Sequence, residues 1–193
     1  MLKIIKIMKI RISVFALFTA CFFLSSCKDK KDSEKKPATV ENVTEQINKY
    51  FEVSFELVAT QDDNMHLYYT EDGSINFNEE QSIWAPFKGS NDSQKVVFKL
   101  PEDAVPTDLR VDLGYGKNEK QQEIILKNFK MSYYGKSFQA DGSDIFNYFY
   151  SNKDNTVLNV ETATLKRVKV DQLAAPSLYP HTKLEEEIAK ITK

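Results

Sequence analysis

From residue 51 onward the chain repeats one pattern, in which apolar and polar positions alternate over a short stretch and a cluster of turn residues then interrupts them. Phe51-Val53-Phe55-Leu57 alternate with Glu52-Ser54-Glu56-Val58, as in a strand with one face on a core and the other in water. Gln61-Asp62-Asp63-Asn64 makes a turn. Met65-Leu67-Tyr69 then alternate with His66-Tyr68-Thr70 up to Glu71-Asp72-Gly73-Ser74, so the first two strands are expected as a hairpin. Between Phe77 and Phe87 the alternation fails. Trp84 and Pro86 share a short apolar stretch there, and the proline confines it to a sheet edge or a loop.

After Gly89-Ser90-Asn91-Asp92 the alternation resumes on Val96-Phe98-Leu100 and stops at Pro101, which has no N–H for a ladder. Leu109-Val111-Leu113 put Arg110 and Asp112 together on the opposite face. From Glu123 to Tyr134 the phase carried by Ile124-Leu126 shifts before Phe129-Met131-Tyr133, which predicts one bulged residue near Asn128. Asp141-Gly142-Ser143-Asp144 is read as a turn, and Phe146-Tyr148-Tyr150, Val157–Val160 and Leu165–Val170 as further strands. Pro176 and Pro180 break the chain. Thr182-Lys183-Leu184-Glu185 has the form of a capping box, and Leu184, Ile188 and Ile191 make one apolar stripe on a short helix over residues 181–193. Seven or more short strands with frequent turns predict an all-β antiparallel sandwich over residues 43–180.

The first 26 residues follow another rule. Met1–Arg11 carries Lys3, Lys6, Lys9 and Arg11 without an acid, and Ile12–Leu24 is almost wholly apolar. This is the basic and apolar order of a secretory signal, too short for the roughly 20 residues of a spanning helix. Leu24-Ser25-Ser26-Cys27 resembles the lipobox of bacterial lipoproteins, which implies that Cys27 is diacylated and becomes the new N-terminus. Cys21 is the poorer site, since the residues after it are still apolar. Residues 27–42 continue as Lys28–Lys36, all charge and serine, and then Pro37, which offers no apolar face and is expected to be a flexible tether. The leader and tether resemble those of Bacteroidota lipoproteins, where charge after the cysteine directs export to the surface. The run here mixes Lys with Asp and Glu, so the location implied is the outer membrane, on either its periplasmic or its surface face.

Composition narrows the function. The chain of 193 residues has a formal charge of −2, and the leader contributes +4, so the remainder carries −6. That balance gives no electrostatic footprint for nucleic acid. Without Cys21 the only thiol left is Cys27, so no internal disulfide is available. His66 and His181 are the only histidines, too few ligands for zinc. No cofactor is indicated beyond a structural calcium, for which Asp62-Asp63-Asn64 or Asp141-Gly142-Ser143-Asp144 would supply oxygens without EF-hand spacing. There is no G-x-S-x-G elbow, phosphate loop or H-E-x-x-H helix, and no carboxylate pair stands out for glycoside hydrolysis. A non-enzyme is expected.

The order LYYTEDG, KVVFKLPED, PTDLRVDLG and IILKNFKMSYYG resembles the jelly-roll domains of carbohydrate-binding modules and galactose-binding-like proteins. That likeness implies glycan binding by aromatic rings stacked on sugar faces. Tyr68, on the polar face of its strand, and Trp84, in an edge or loop, are the candidate rings. Arg110 and Asp112 are the candidate hydrogen-bonding partners of a sugar diol, or else an ordinary ion pair. Two readings result: a membrane-anchored glycan-binding module, or a structural or interaction subunit of an envelope complex without a small ligand.

Overall fold

A computed structural model of the chain describes residues 48–114, 123–169 and 171–193. Cys27, the leader and the tether lie outside them. The described chain is an antiparallel two-sheet sandwich closed by one C-terminal helix, as the alternation predicts.

One sheet contains β1 (Glu52–Ala59), β4 (Ser90–Lys99), β6 (Glu123–Tyr133), β7 (Lys136–Asp141), β9 (Thr156–Asn159) and β10 (Thr164–Arg167), in the order β4-β1-β6-β10-β9. β1 pairs along one edge of β6, so β7 and β10 share the other, β7 at Asn128–Tyr133 and β10 at Glu123–Ile125. The other sheet contains β2 (Asp63–Thr70), β3 (Ser82–Phe87), β5 (Asp108–Leu113), β8 (Phe149–Ser151) and β11 (Ser177–Pro180), in the order β3-β2-β5-β11-β8. The inner faces meet on the apolar half of each alternation. Phe55 is fully buried and touches the rings of Phe98, Phe129 and Phe149 at 6.5, 5.0 and 6.4 Å between centroids. Helix α1 (Thr182–Thr192) buries Leu184, Ile188 and Ile191 against this core.

Several expectations hold in detail. Glu56 pairs with Asn128 while Leu57 pairs with Leu126, so Lys127 is the extra residue of the bulge that the phase shift demanded. β3 is the outermost strand of its sheet, which accommodates Pro86. Other expectations are corrected. β1 and β2 do not form a hairpin: the turn between them carries the chain from one sheet to the other, so β1 pairs with β4 and β6 while β2 pairs with β3 and β5. Residues Gly142–Asn147 wind into a 3-10 turn, leaving only Phe149–Ser151 as strand. The stretch between Pro176 and Pro180 is not a break but β11, paired with β5 and β8. β7 follows a two-residue turn in which Tyr134 and Gly135 both have positive φ, 47° and 81°, the geometry of a type I′ hairpin usually announced by Asn-Gly. The capping box does not form: His181 is the N-cap and makes no side-chain cap bond. The strand expected over Leu165–Val170 ends at Arg167, and Val170 itself lies outside the described residues.

Candidate functional site

The site is built on the outward face of the five-stranded sheet. Alternation sets His66 and Tyr68 of β2, Trp84 of β3, Arg110 and Asp112 of β5, Tyr179 of β11 and Tyr150 of β8 opposite the core side of their strands. Register then makes them neighbours: Trp84 faces His66, His66 faces Asp112, Tyr68 faces Arg110, and Tyr150 faces Tyr179. The result is a continuous row across the strands. His66 stacks on Trp84 at 3.7 Å with 18° between planes and lies 3.9 Å from Tyr68. The Arg110 guanidinium sits 4.8 Å from the ring centres of both Tyr68 and Tyr179, a cation held between two π faces. Tyr179 stacks on Tyr150 at 5.8 Å and 27°.

Two cavities open on this row. One of about 300 Å³ is lined by His66, Tyr68, Glu79, Trp84, Arg110 and Asp112, with Gly114, Asn155 and Leu173–Ala175 completing its rim. All four residues singled out from sequence as ligand contacts therefore share one hollow. The other, of about 450 Å³, is lined by Tyr150, Ser151, Asn152, Lys153, Asp154 and Tyr179.

Connecting segments wall the first cavity. The β2–β3 connection folds back over the sheet, where Asn78 caps a short 3-10 turn by accepting from the N–H groups of Glu80 and Gln81. This presents Glu79, whose Oε1 accepts the Tyr68 hydroxyl at 2.8 Å. Phe77 from the same connection meets Tyr179 edge-on at 6.1 Å. On the other side, Gln172 Nε2 donates to the carbonyls of Asn155 and Ala174, both at 2.7 Å, and pins the β10–β11 connection in place.

The electrostatics follow from burial. Tyr68 is only 7% exposed, so it is not the open stacking surface its phase predicted. Desolvation and the bond to Glu79 push its phenol well above the usual range. It supports Arg110 and fixes Glu79. Trp84, by contrast, is 44% exposed. Arg110 gives Nε and Nη2 to the two carboxylate oxygens of Asp112 at 3.0 and 2.8 Å, a bidentate pair along one strand rather than across two. Burial raises the Asp112 pKa and Arg110 works against that rise. His66 is 2% exposed, and its Nε2 makes no hydrogen bond among the described residues; Glu79 Oε2 is 3.6 Å away. Desolvation lowers the His66 pKa, against the pull of Glu79, which favours the neutral ring for stacking.

Sequence reading missed His66 and Glu79 in the first cavity and the Tyr150–Tyr179 pair in the second. His66 was legible from phase, since it alternates with Met65 and Leu67 as Tyr68 does. The oxygen clusters weighed for calcium accept hydrogen bonds from other strands and turns: Asp62 from Lys88 Nζ and Gly89 N, both at 2.8 Å, and Asp141 from Asn128 Nδ2 at 2.7 Å. Among the described residues no three His, Cys, Asp or Glu side chains are grouped as metal ligands. No protein-family model, curated protein or solved structure matches this chain.

Proposed function

We propose that this chain is a lipoprotein anchored through Cys27 to the outer membrane, and that its sandwich is a non-catalytic module binding a glycan on the outward face of the five-stranded sheet. The ring-lined cavity that unites Trp84, Tyr68, Arg110 and Asp112 carries this reading. A sugar has an apolar face and a polar edge, and a site for it needs an accessible ring beside fixed hydrogen-bonding groups. Trp84 supplies the ring, and Glu79 and the Arg110–Asp112 pair supply the polar groups. The carboxylates of the cavity are already engaged, Asp112 by Arg110 and Glu79 by Tyr68, which favours binding over acid–base chemistry. Anchoring rests on the lipobox-like Leu24–Cys27 and the charged tether after it. The acyl chains of such a cysteine give lasting attachment where a single chain gives little.

A printed glycan array probed with the full-length chain, in a detergent without a sugar headgroup, tests the ligand. Saturable retention of a glycan class, weakened at least tenfold by Trp84→Ala (about 1.4 kcal/mol) with the fold intact, is expected. No retention of any glycan would sink the reading.

A further inference from the structure

The second cavity, between Tyr150 and Tyr179, has no role in the site as read above, yet the ring row runs into it. Tyr179 lines it and also stacks against the Arg110 guanidinium of the first cavity. Asp154 lines the second cavity and the next residue, Asn155, lines the first, so the two hollows adjoin. The row's ends are its most open members, Trp84 at 44% and Tyr150 at 41% exposure. They stand on the two outermost strands, β3 and β8, four inter-strand intervals apart. At about 4.8 Å per interval that is about 19 Å, far beyond the width of one sugar ring.

The second cavity also has the makings of a sugar subsite in its own right. Its lining includes the stacked rings of Tyr150 and Tyr179 together with Asn152, Lys153 and Asp154. Lys153 and Asp154 carry opposite charges, so the lining of this cavity has no net charge to favour an ionic ligand.

We propose that the tyrosine cavity is a second subsite of the same groove, and that the ligand is a linear, uncharged oligosaccharide laid across the strands rather than one sugar or a chain end held at Trp84. The proposal rests on the glycan reading above. Two ring contacts on one chain act together, because the second engages at the high effective concentration set by the first.

The test is calorimetric titration of the full-length chain with neutral oligosaccharides from disaccharide to octasaccharide, in the linkage class that the array retains. Affinity is expected to rise at least tenfold with length and then level off. Tyr150→Ala should remove that gain and leave the disaccharide unchanged, Tyr150→Phe should keep it, and Trp84→Ala should weaken every length. A disaccharide bound as tightly as the octasaccharide overturns the proposal, and this result needs no variant. So does a folded Tyr150→Ala chain that binds the octasaccharide normally, or a preference for uronic-acid chains. In those outcomes the glycan reading stands; if no array glycan is retained, that reading falls and the second subsite with it.

Discussion

Asp108 is the first residue of β5, only 5% exposed, and burial together with the nearby Glu185 of α1 raises its pKa from 3.8 to about 6. An unfolded chain releases this proton near 3.8 and the folded one near 6. Between those values the folded state holds the extra proton, so stability falls as pH rises through the window and stays lower above it. About two units at 1.36 kcal/mol each set a ceiling of about 3 kcal/mol. Asp108→Asn keeps the shape and removes the titration. Urea denaturation at pH 7.5 should therefore find the variant more stable by about 1–3 kcal/mol, and the advantage should vanish near pH 4. Glu185→Gln, which removes the lesser cause, should recover a small part of the same gain. An Asn variant that is less stable at pH 7.5, or whose advantage does not change with pH, would refute the assignment of a buried carboxylate with a raised pKa.

Three further outcomes check other links. Phe55→Ala or Phe98→Ala should cost about 3–5 kcal/mol in urea or thermal unfolding, since both rings are fully buried mid-strand; an unchanged melting temperature would contradict the strand phase. Arg110→Met strands the partly buried Asp112 carboxylate and should destabilise by about 2–3 kcal/mol, below the 3–5 of a fully buried pair. A melting curve that matches the unaltered chain would mean that the bidentate bond contributes nothing. Cys27→Ala should move the protein from the membrane to the soluble fraction and change its mass by the lost acyl groups, without altering its melting temperature. Retention in the membrane at unchanged mass would end the lipoprotein proposal.

The faces were legible in the sequence, and the neighbours were not. Period-two alternation already assigned Tyr68, Arg110 and Asp112 to the side opposite Leu67 and Val111, and the bulge at Lys127 showed as a slip of phase. What alternation cannot say is which strands lie side by side. The contact between Arg110 and Tyr179 depends on β11 pairing with β5 from 69 positions further along the chain. β11 was hidden because a strand of four residues, preceded by Pro176 and ending on Pro180, has no room for a period to show. β7 was hidden because its turn uses Tyr134 where Asn is usual, and Tyr in a positive-φ position gives no composition signal. Exposure was misjudged at Tyr68 for a related reason. An outward phase predicts solvent only if no loop returns over the strand, and the β2–β3 connection brings Glu79 back onto that hydroxyl.

Trp84 is the one tryptophan in the chain, so its fluorescence reports on the ring row without a label. Titrating the full-length chain with a glycan retained on the array should change the emission saturably, with a midpoint equal to the calorimetric Kd. A retained glycan that binds with the emission unmoved, and binds Trp84→Ala as tightly as the unaltered chain, would place the ligand elsewhere and contradict the account.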